Sequence, residues 1–243
     1  MHNTTVKQLS LVLCLLLLGA CGGKEFIKSP IDTLVRNMDK EKNFTIILYD
    51  MDVEGIFFKD YKHKYKLIKE KEDGTPYEET TDWFEVDEAL FNQHQNDMGM
   101  EIVSKVDGKV IKQTAPPGYS RYVGNEKYGQ WATNSSGNSF WQFYGQYAFI
   151  SNMTGLMAGP VYRTSYLDYR YNYHNLGRRP YYGRTTSSGL PQYGSRSSVV
   201  AKQNPNSSFK NRVQRRVSRS SRSGSRYSSG SSTRSRSFSR GGK

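Results

Sequence analysis

The sequence predicts an α+β fold: a small, mostly antiparallel sheet with two short helices, followed by an aromatic amphipathic segment and a disordered basic tail. Three observations carry that expectation. Apolar residues recur at helical spacing around residues 31–38. Alternating and β-branched runs follow, punctuated by Asp-Gly pairs. Past residue 115 the acidic residues almost vanish, and past residue 193 apolar residues become few.

The elements follow in order. Ile31, Leu34, Val35 and Met38 are spaced i, i+3, i+4, i+7, the stripe of an amphipathic helix. Ser29-Pro30 suits its N-cap and first helical position. Phe44 to Tyr49 is a β-branched and aromatic run, expected as a buried strand. Tyr61, His63, Tyr65 and Leu67 alternate with Lys62, Lys64 and Lys66, a strand with one wet face. Asp73-Gly74 marks a turn, and Tyr77 to Phe84 is its return strand. Val86 to Phe91 opens a second short helix, and Met100 to Lys112 reads as a hairpin turning at Asp107-Gly108. The domain is expected to span residues 26–115.

Charge divides the 243 residues. The chain has 35 Lys+Arg against 22 Asp+Glu, a net of +13. Residues 24–115 hold 14 basic and 20 acidic side chains, whereas residues 116–243 hold 20 basic and two acidic ones, Glu126 and Asp168. Apolar residues are 35% of the chain, below the roughly 45–50% (counting Gly) of globular domains. One core across the whole chain is not expected.

At the N-terminus Lys7 precedes an apolar run, Leu11 to Leu18, and small residues follow. This is the layout of a secretory signal, and the run is too short to span a bilayer. Leu18-Gly19-Ala20-Cys21 resembles the lipobox of bacterial lipoprotein precursors, with Gly19 where Ala, Ser or Thr is usual. The resemblance implies a signal peptide over 1–20, removed before Cys21, and acylation of Cys21 in a tether over 21–25. Several acyl chains anchor stably where one is marginal. No Asp follows Cys21, and Lys24-Glu25 matches a surface-export pair of some Gram-negative lineages. The outer rather than the inner membrane is expected. Cys14 lies inside the signal, so the mature chain has no cysteine beyond Cys21 for disulfides, metals or nucleophilic chemistry.

Residues 116–193 are the aromatic segment. Thirteen of the 18 Tyr fall between Tyr119 and Tyr193, and no formal charge occurs from Tyr128 to Tyr162. Phe140, Phe143, Tyr144 and Tyr147 fall at helical spacing, which predicts an amphipathic helix near 139–151. With Trp141 and Phe149 they form a candidate membrane- or partner-docking face. Packing of this helix on the α+β domain, self-association and a membrane span are the alternatives. Gln142, Gln146 and Gly145 speak against the span. From Tyr162 to Tyr182, Tyr alternates with Arg and Asn, a composition that grips polyanions by charge and stacking or associates with itself.

Ser, Arg and Gly dominate residues 194–243, where disorder is expected. Arg215, Arg216, Arg219, Arg222, Arg234 and Arg236 are the candidate polyanion-binding residues. The C-terminal half also resembles a family of Gram-negative lipoproteins of unknown function, through Ser139-Phe140-Trp141, Met157-Ala158-Gly159, Ser235-Arg236-Ser237 and Gly241-Gly242. That resemblance implies no activity.

Catalytic and metal motifs are sparse. Asp50, Asp52, Glu54 and Gly55 match positions 1, 3, 5 and 6 of a calcium loop, but Tyr61 stands where the bidentate Glu belongs. Asp50 and Asp52 also resemble the Asp-x-Asp of haloacid-dehalogenase-type phosphatases, a pattern that Glu54 and the domain's shortness break. An acidic β-turn is the expectation, with Asp50, Asp52 and Glu54 as metal candidates only. His63 and His94 lack zinc-ligand spacing and read as a strand and a helix-end residue. No nucleophile–base arrangement or phosphate loop is legible, and no cofactor is expected. The sequence thus reads as a non-enzymatic envelope interaction or scaffold protein. Its expected partners are the membrane through Cys21, an anionic envelope polymer or lipid, and a protein partner or a second copy. Export speaks against nucleic acid. A ligand- or metal-dependent, or enzymatic, role of the α+β domain and a self-assembling surface structure are the alternatives.

Overall fold

The computed structural model describes residues 27–55, 59–154, 159–176, 179–187, 189–197, 200 and 207. Helix α1 (Pro30–Asn37) starts at the Ser29-Pro30 boundary, with Pro at its first position. Asp32 in its first turn and Arg36 in its last complement the helix dipole. Strand β1 (Phe44–Glu54) runs longer than its apolar core. It pairs antiparallel with β2 (Asp60–Glu70), which pairs with β3 (Pro76–Val86). Helix α2 (Glu88–Gln93) is capped by Asp87, whose carboxylate accepts the Leu90 N–H at 2.7 Å. The chain then returns as β4 (Glu101–Val106) beside β1, and β5 (Lys109–Ile111) completes a five-stranded antiparallel sheet of order β3-β2-β1-β4-β5. The β4–β5 turn has positive φ at both Asp107 (49°) and Gly108 (82°), the geometry that makes Asp-Gly a hairpin signal.

Strand β1 is central and buried along nearly its whole length. A bulge between Leu48 and Asp50 shifts the alternation, so that Met51 and Val53 join Phe44, Ile46 and Leu48 in one core. Ile31 and Leu34 of α1 and Phe91 of α2 cover that face. Ile47 of β1 and Ile68 of β2 belong to a second cluster with Tyr122, Tyr128 and Ile150. The opposite face of the sheet is thus covered by the Tyr-rich segment. The outer strand β3 blunts its free edge with Pro76, Glu78, Glu79, Asp82 and Glu85. Lys66–Glu78 (2.9 Å) and Lys69–Glu79 (2.6 Å) bridge it to β2.

This arrangement corrects three expectations. First, the core does not end at residue 115. Tyr119, Tyr122, Val123, Tyr128, Trp141, Ile150, Val161, Tyr169, Tyr181 and Tyr193 are all buried. Tyr119 is the hub, with edge-on rings of Tyr166, Tyr169 and Tyr193 at 5.4–5.8 Å. Second, no single helix covers 139–151. Strand β6 (Gly129–Thr133) pairs with β7 (Ser139–Phe143), then come a 3₁₀ turn (Gly145–Tyr147) and α3 (Phe149–Thr154). Trp131 and Trp141 face each other across the hairpin with ring centroids 5.1 Å apart. Asn134 closes its turn by accepting the N–H groups of Ser136 and Asn138. A Cβ on Gly129 would lie 2.3 Å from the Gln142 carbonyl oxygen, so only glycine permits this pairing. Helical spacing in so short a run was coincidental, since a run of five is compatible with either period. Third, the boundary at residue 194 falls inside the packed region. Ser195, Ser197, Val200 and Ser207 are buried, and Ser195 Oγ accepts the Met98 N–H at 3.0 Å. The rest of the expected tail lies outside the described residues.

The hairpin gives a direct test. Trp141→Ala should cost about 3–5 kcal/mol of stability, as for an aromatic removed from a core. Chemical denaturation measures it. A midpoint unchanged from the parent would mean that residues 139–143 are a surface element and that the packing described here is wrong.

Candidate functional site

Helix α4 (Arg163–Asp168) runs without a break into a π-helical turn (Tyr169–His174). The Asn175 N–H donates to the Arg170 carbonyl at 3.0 Å, an i→i+5 bond. Residues five apart lie about 140° apart around an α-helix. The wider π turn brings them back to one side, an arrangement found often at functional sites. Here it places Tyr166, Arg170, Tyr171 and Asn175 along one groove of about 720 Å³. The opposite wall is the loop Ser120–Glu126, which carries Arg121 and Asn125. Tyr166 packs hard against this loop: a Cβ on Gly124, whose φ is +78°, would sit 2.8 Å from the Tyr166 hydroxyl. Tyr171 is 66% exposed, while Arg121 is only 5% exposed. Arg121 is paired with Glu70, and its guanidinium lies 5.0 Å from the Tyr122 ring centroid.

Three carboxylates, buried Glu101 and Asp97 and half-buried Glu70, pin the aromatic cover to the sheet. Glu70 at the end of β2 accepts the Asn43 amide (2.9 Å) and the Tyr128 hydroxyl (3.0 Å) and pairs with Arg121. Burial pushes its pKa up, but Asn43, Arg121, Tyr128 and Lys127 outweigh that and hold it below the usual value. Glu101 at the start of β4 accepts the Gly118 N–H at 2.5 Å. Burial raises its pKa to about 7, against the opposing hydrogen bonds of Ser120 and Gly118 and the charge of Arg121. Asp97 accepts from the Tyr182 hydroxyl (2.6 Å) and from Thr114 (3.2 Å), and His94 Nδ1 lies 2.8 Å away.

His63 and His94 come together after all, with ring centroids 6.4 Å apart. His63 Nδ1 lies 3.0 Å from the Tyr65 hydroxyl, and its Nε2 has no hydrogen-bond partner among the described residues. Burial, with the charge of His94 second, lowers the His63 pKa to about 3, so this imidazole is neutral throughout ordinary pH. Among the described residues no group of three or more His, Cys, Asp or Glu side chains is placed to hold a metal ion.

The other predicted residues are distributed as follows. Asp50, Asp52 and Glu54 form no turn and no calcium loop; they lie within β1, in register with Lys64, Lys62 and Asp60 of β2. Asp50 accepts the Met51 N–H and the Ser207 hydroxyl, Asp52 accepts the Val53 N–H, and Glu54 pairs with Lys62 at 2.7 Å. Residues i, i+2 and i+4 of a strand share one face but stand about 6.5–7 Å apart along it, and each of these carboxylates is held by its own partner rather than turned toward a common centre. The residues of the expected docking face are spread over β7, the 3₁₀ turn and α3. Trp141 is 6% exposed, Phe143, Tyr147 and Phe149 are half-buried against the core, Phe140 is half-buried, and Tyr144 is 40% exposed. No helix among the described residues is long and apolar enough to cross a membrane. Cys21 and Arg215, Arg216, Arg219, Arg222, Arg234 and Arg236 lie outside the described residues. Of the groove residues, Tyr166, Arg170 and Tyr171 belong to the Tyr/Arg stretch noted in the sequence. Asn175 lies in the same stretch, whereas Arg121 and Asn125 carried no signal. No protein family, curated protein or solved structure matches the chain.

The two buried titrating groups act in opposite directions. The Glu101 pKa is raised on folding, so its contribution is present below about 4.5 and is lost as pH rises toward 7. The His63 pKa is lowered, so stability falls as pH drops from 6.5 toward 3. Each group changes the slope by at most about 1.4 kcal/mol per pH unit within its window. In urea denaturation across pH 4–8, Glu101→Gln should remove the loss between pH 4.5 and 7. His63→Leu should reduce the acid loss whatever its overall cost. Slopes identical to the parent would refute these assignments.

Proposed function

We propose that this chain is a lipid-anchored envelope protein acting as a non-enzymatic interaction or scaffold module, whose cationic C-terminal region binds an anionic envelope polymer or lipid. One observation carries the reading: the surplus positive charge is concentrated in the last 46 residues of the sequence. Residues 198–243 hold 12 Lys and Arg and no Asp or Glu. The body to which they attach is an α+β domain whose outer strand β3 presents Glu78, Glu79, Asp82 and Glu85. Residues 27–197 hold 21 Lys and Arg against 21 Asp and Glu, so this body has no net charge with which to attract a polyanion. The Arg-rich segment attracts one, at about 1 kcal/mol per residue near an anionic surface, screened by salt. The lipobox at Cys21 supports the anchor and the extracytoplasmic setting. Self-assembly through the Tyr-rich middle is the weaker reading, because Tyr119, Tyr122, Tyr128, Tyr169, Tyr181 and Tyr193 are buried inside the domain.

Two measurements test the proposal. Cys21→Ser should move the chain expressed in its host from the detergent phase to the aqueous phase on detergent partition. Replacing Arg215, Arg216, Arg219, Arg222, Arg234 and Arg236 by Gln in the full chain should weaken binding to phosphatidylglycerol vesicles or lipopolysaccharide by at least about tenfold and flatten its salt dependence. This variant is preferable to truncation at 194, which would remove buried Ser195, Ser197, Val200 and Ser207. Unchanged vesicle and lipopolysaccharide binding would exclude the tail as the contact.

A further inference from the structure

The exposed apolar side chains gather on one part of the surface. Of the six large hydrophobic residues exposed among the described residues, Val110 lies on β5, and Leu167, Tyr171 and Leu176 lie on or just after α4 and its π-helical turn. Tyr171 is 66% exposed and Leu176 58%. Leu167 and Tyr171 are four residues apart and share a helix face. The π turn carries Leu176, five residues after Tyr171, toward that face, where a regular α-helix would turn it away by about 140°. Large apolar side chains grouped in one exposed stripe mark a contact surface.

The charge around the stripe is positive. From Gly159 to Arg184 the sequence holds Arg163, Arg170, Arg178, Arg179 and Arg184 against Asp168 alone. Asp168 is half-buried and accepts the Asn172 amide at 2.6 Å. Arg163 and Arg179 are exposed, and exposed Arg184 donates to the Thr164 hydroxyl at the start of α4 (2.9 Å). Burial first, and then the charges of Arg170 and Lys109, hold the His174 pKa below its usual value, so Lys109 of β5 stands beside the turn as well. Glu126 faces them from across the groove.

The N-terminal tether enters the body next to this stripe. Six peptide steps separate Cys21 from Ile27, where the described chain begins, a reach of at most about 22 Å. Two contacts connect that entry to the π turn. Asp32 in the first turn of α1 accepts from Lys112 at 2.6 Å, and the following residue, Gln113, donates to the Tyr173 carbonyl at 2.8 Å. Strand β3 lies at the other edge of the sheet.

We propose that Leu167, Tyr171 and Leu176 form the surface by which the folded body rests on an anionic bilayer, beside the lipid-bearing Cys21. The leucines leave water for the acyl boundary, and the tyrosine buries its ring while its hydroxyl stays wet. The surrounding guanidinium groups meet lipid phosphates. The short tether makes this second contact intramolecular, so three large side chains suffice where they would not hold a free protein on a membrane. The inference rests on the acyl anchor proposed above and not on the Arg-rich tail.

The test uses the mature, anchored chain carrying the six tail Arg→Gln replacements, reconstituted in phosphatidylglycerol vesicles. Acylation of Cys21 leaves no free thiol in the mature chain. Single spin labels are therefore placed through Leu167→Cys, Tyr171→Cys or Leu176→Cys, with Thr80→Cys, exposed on β3, as the reference. All four sites are exposed, so the labelled chains should keep the parent's melting temperature, and any two stripe labels decide the result. The mass of the N-terminal peptide reports acylation independently. Relative to oxygen, a water-soluble nickel complex should reach the stripe labels at least about fivefold less than the reference, as expected for side chains at the membrane interface. On phosphatidylcholine vesicles that difference should shrink. With Cys21 acylated, stripe labels as open to nickel as the reference overturn this proposal and leave the anchor standing. Labels that are immobilised but still wet overturn it in favour of a second copy on this face. Equal immersion on phosphatidylcholine overturns it as well, since the arginines would then select nothing. An unacylated Cys21 overturns the anchor and this surface together.

Discussion

A central strand buried on both faces imposes the architecture. Strand β1 lies between β2 and β4, with Phe44, Ile46 and Leu48 in one core and Ile47 in another. Leaving either face in water would forfeit about 1.5–3 kcal/mol for each large apolar side chain exposed. Helices α1 and α2 suffice for one face. Among the described residues, those that cover the other face come after residue 115. The uncharged, Tyr-rich stretch from Tyr119 to Tyr193 therefore belongs to the fold. Its rings are large enough to fill the space, and their hydroxyls reach polar partners at the seams, as Tyr128 does with Glu70 and Tyr182 with Asp97.

Those seams hold the charge. Glu70, Glu101 and Asp97 each stand where the cover meets the sheet, and each accepts hydrogen bonds from the segment that follows residue 113. Removing one partner from such a buried group costs more than the pair contributes, because the other is left without water or a counter-charge. The effect is positional: tyrosine packing tolerates sliding, whereas a carboxylate bound to one backbone N–H does not. Glu101 is the extreme case, since its ionised form is disfavoured enough by burial for it to titrate near neutrality.

The groove is a consequence of the same cover. Tyr169, in the π-helical turn, points into the core beside Tyr119, and its neighbours on the other side of the turn, Arg170 and Tyr171, are left facing the loop that Gly124 allows to approach. Core packing and groove lining thus come from adjacent residues of one short helix. Whatever holds Tyr169 in place also sets where Arg170 and Tyr171 stand against that loop.

The sequence by itself determined the sheet's five strands, its two helices, its Asp-Gly turns and the division of charge. These depend on local signals: periodicity, capping by Asp87, and the positive φ that Asp107-Gly108 accommodates. Only the tertiary structure decided the rest. Trp141 belongs to a strand because Trp131 and Gly129 lie across from it, a pairing that residues 139–151 do not contain. Asp50 and Asp52 sit in β1 rather than in a loop because β2 supplies the ladder that carries the strand through them. The groove's Arg121 and Asn175 stand 54 positions apart in sequence and meet through a helical register that no residue pattern announces. Local order is written in neighbouring residues. Contacts that close over long chain separations depend on the shape of the surfaces that meet, and for this chain those surfaces are the uncovered face of the sheet and the tyrosines that fill it.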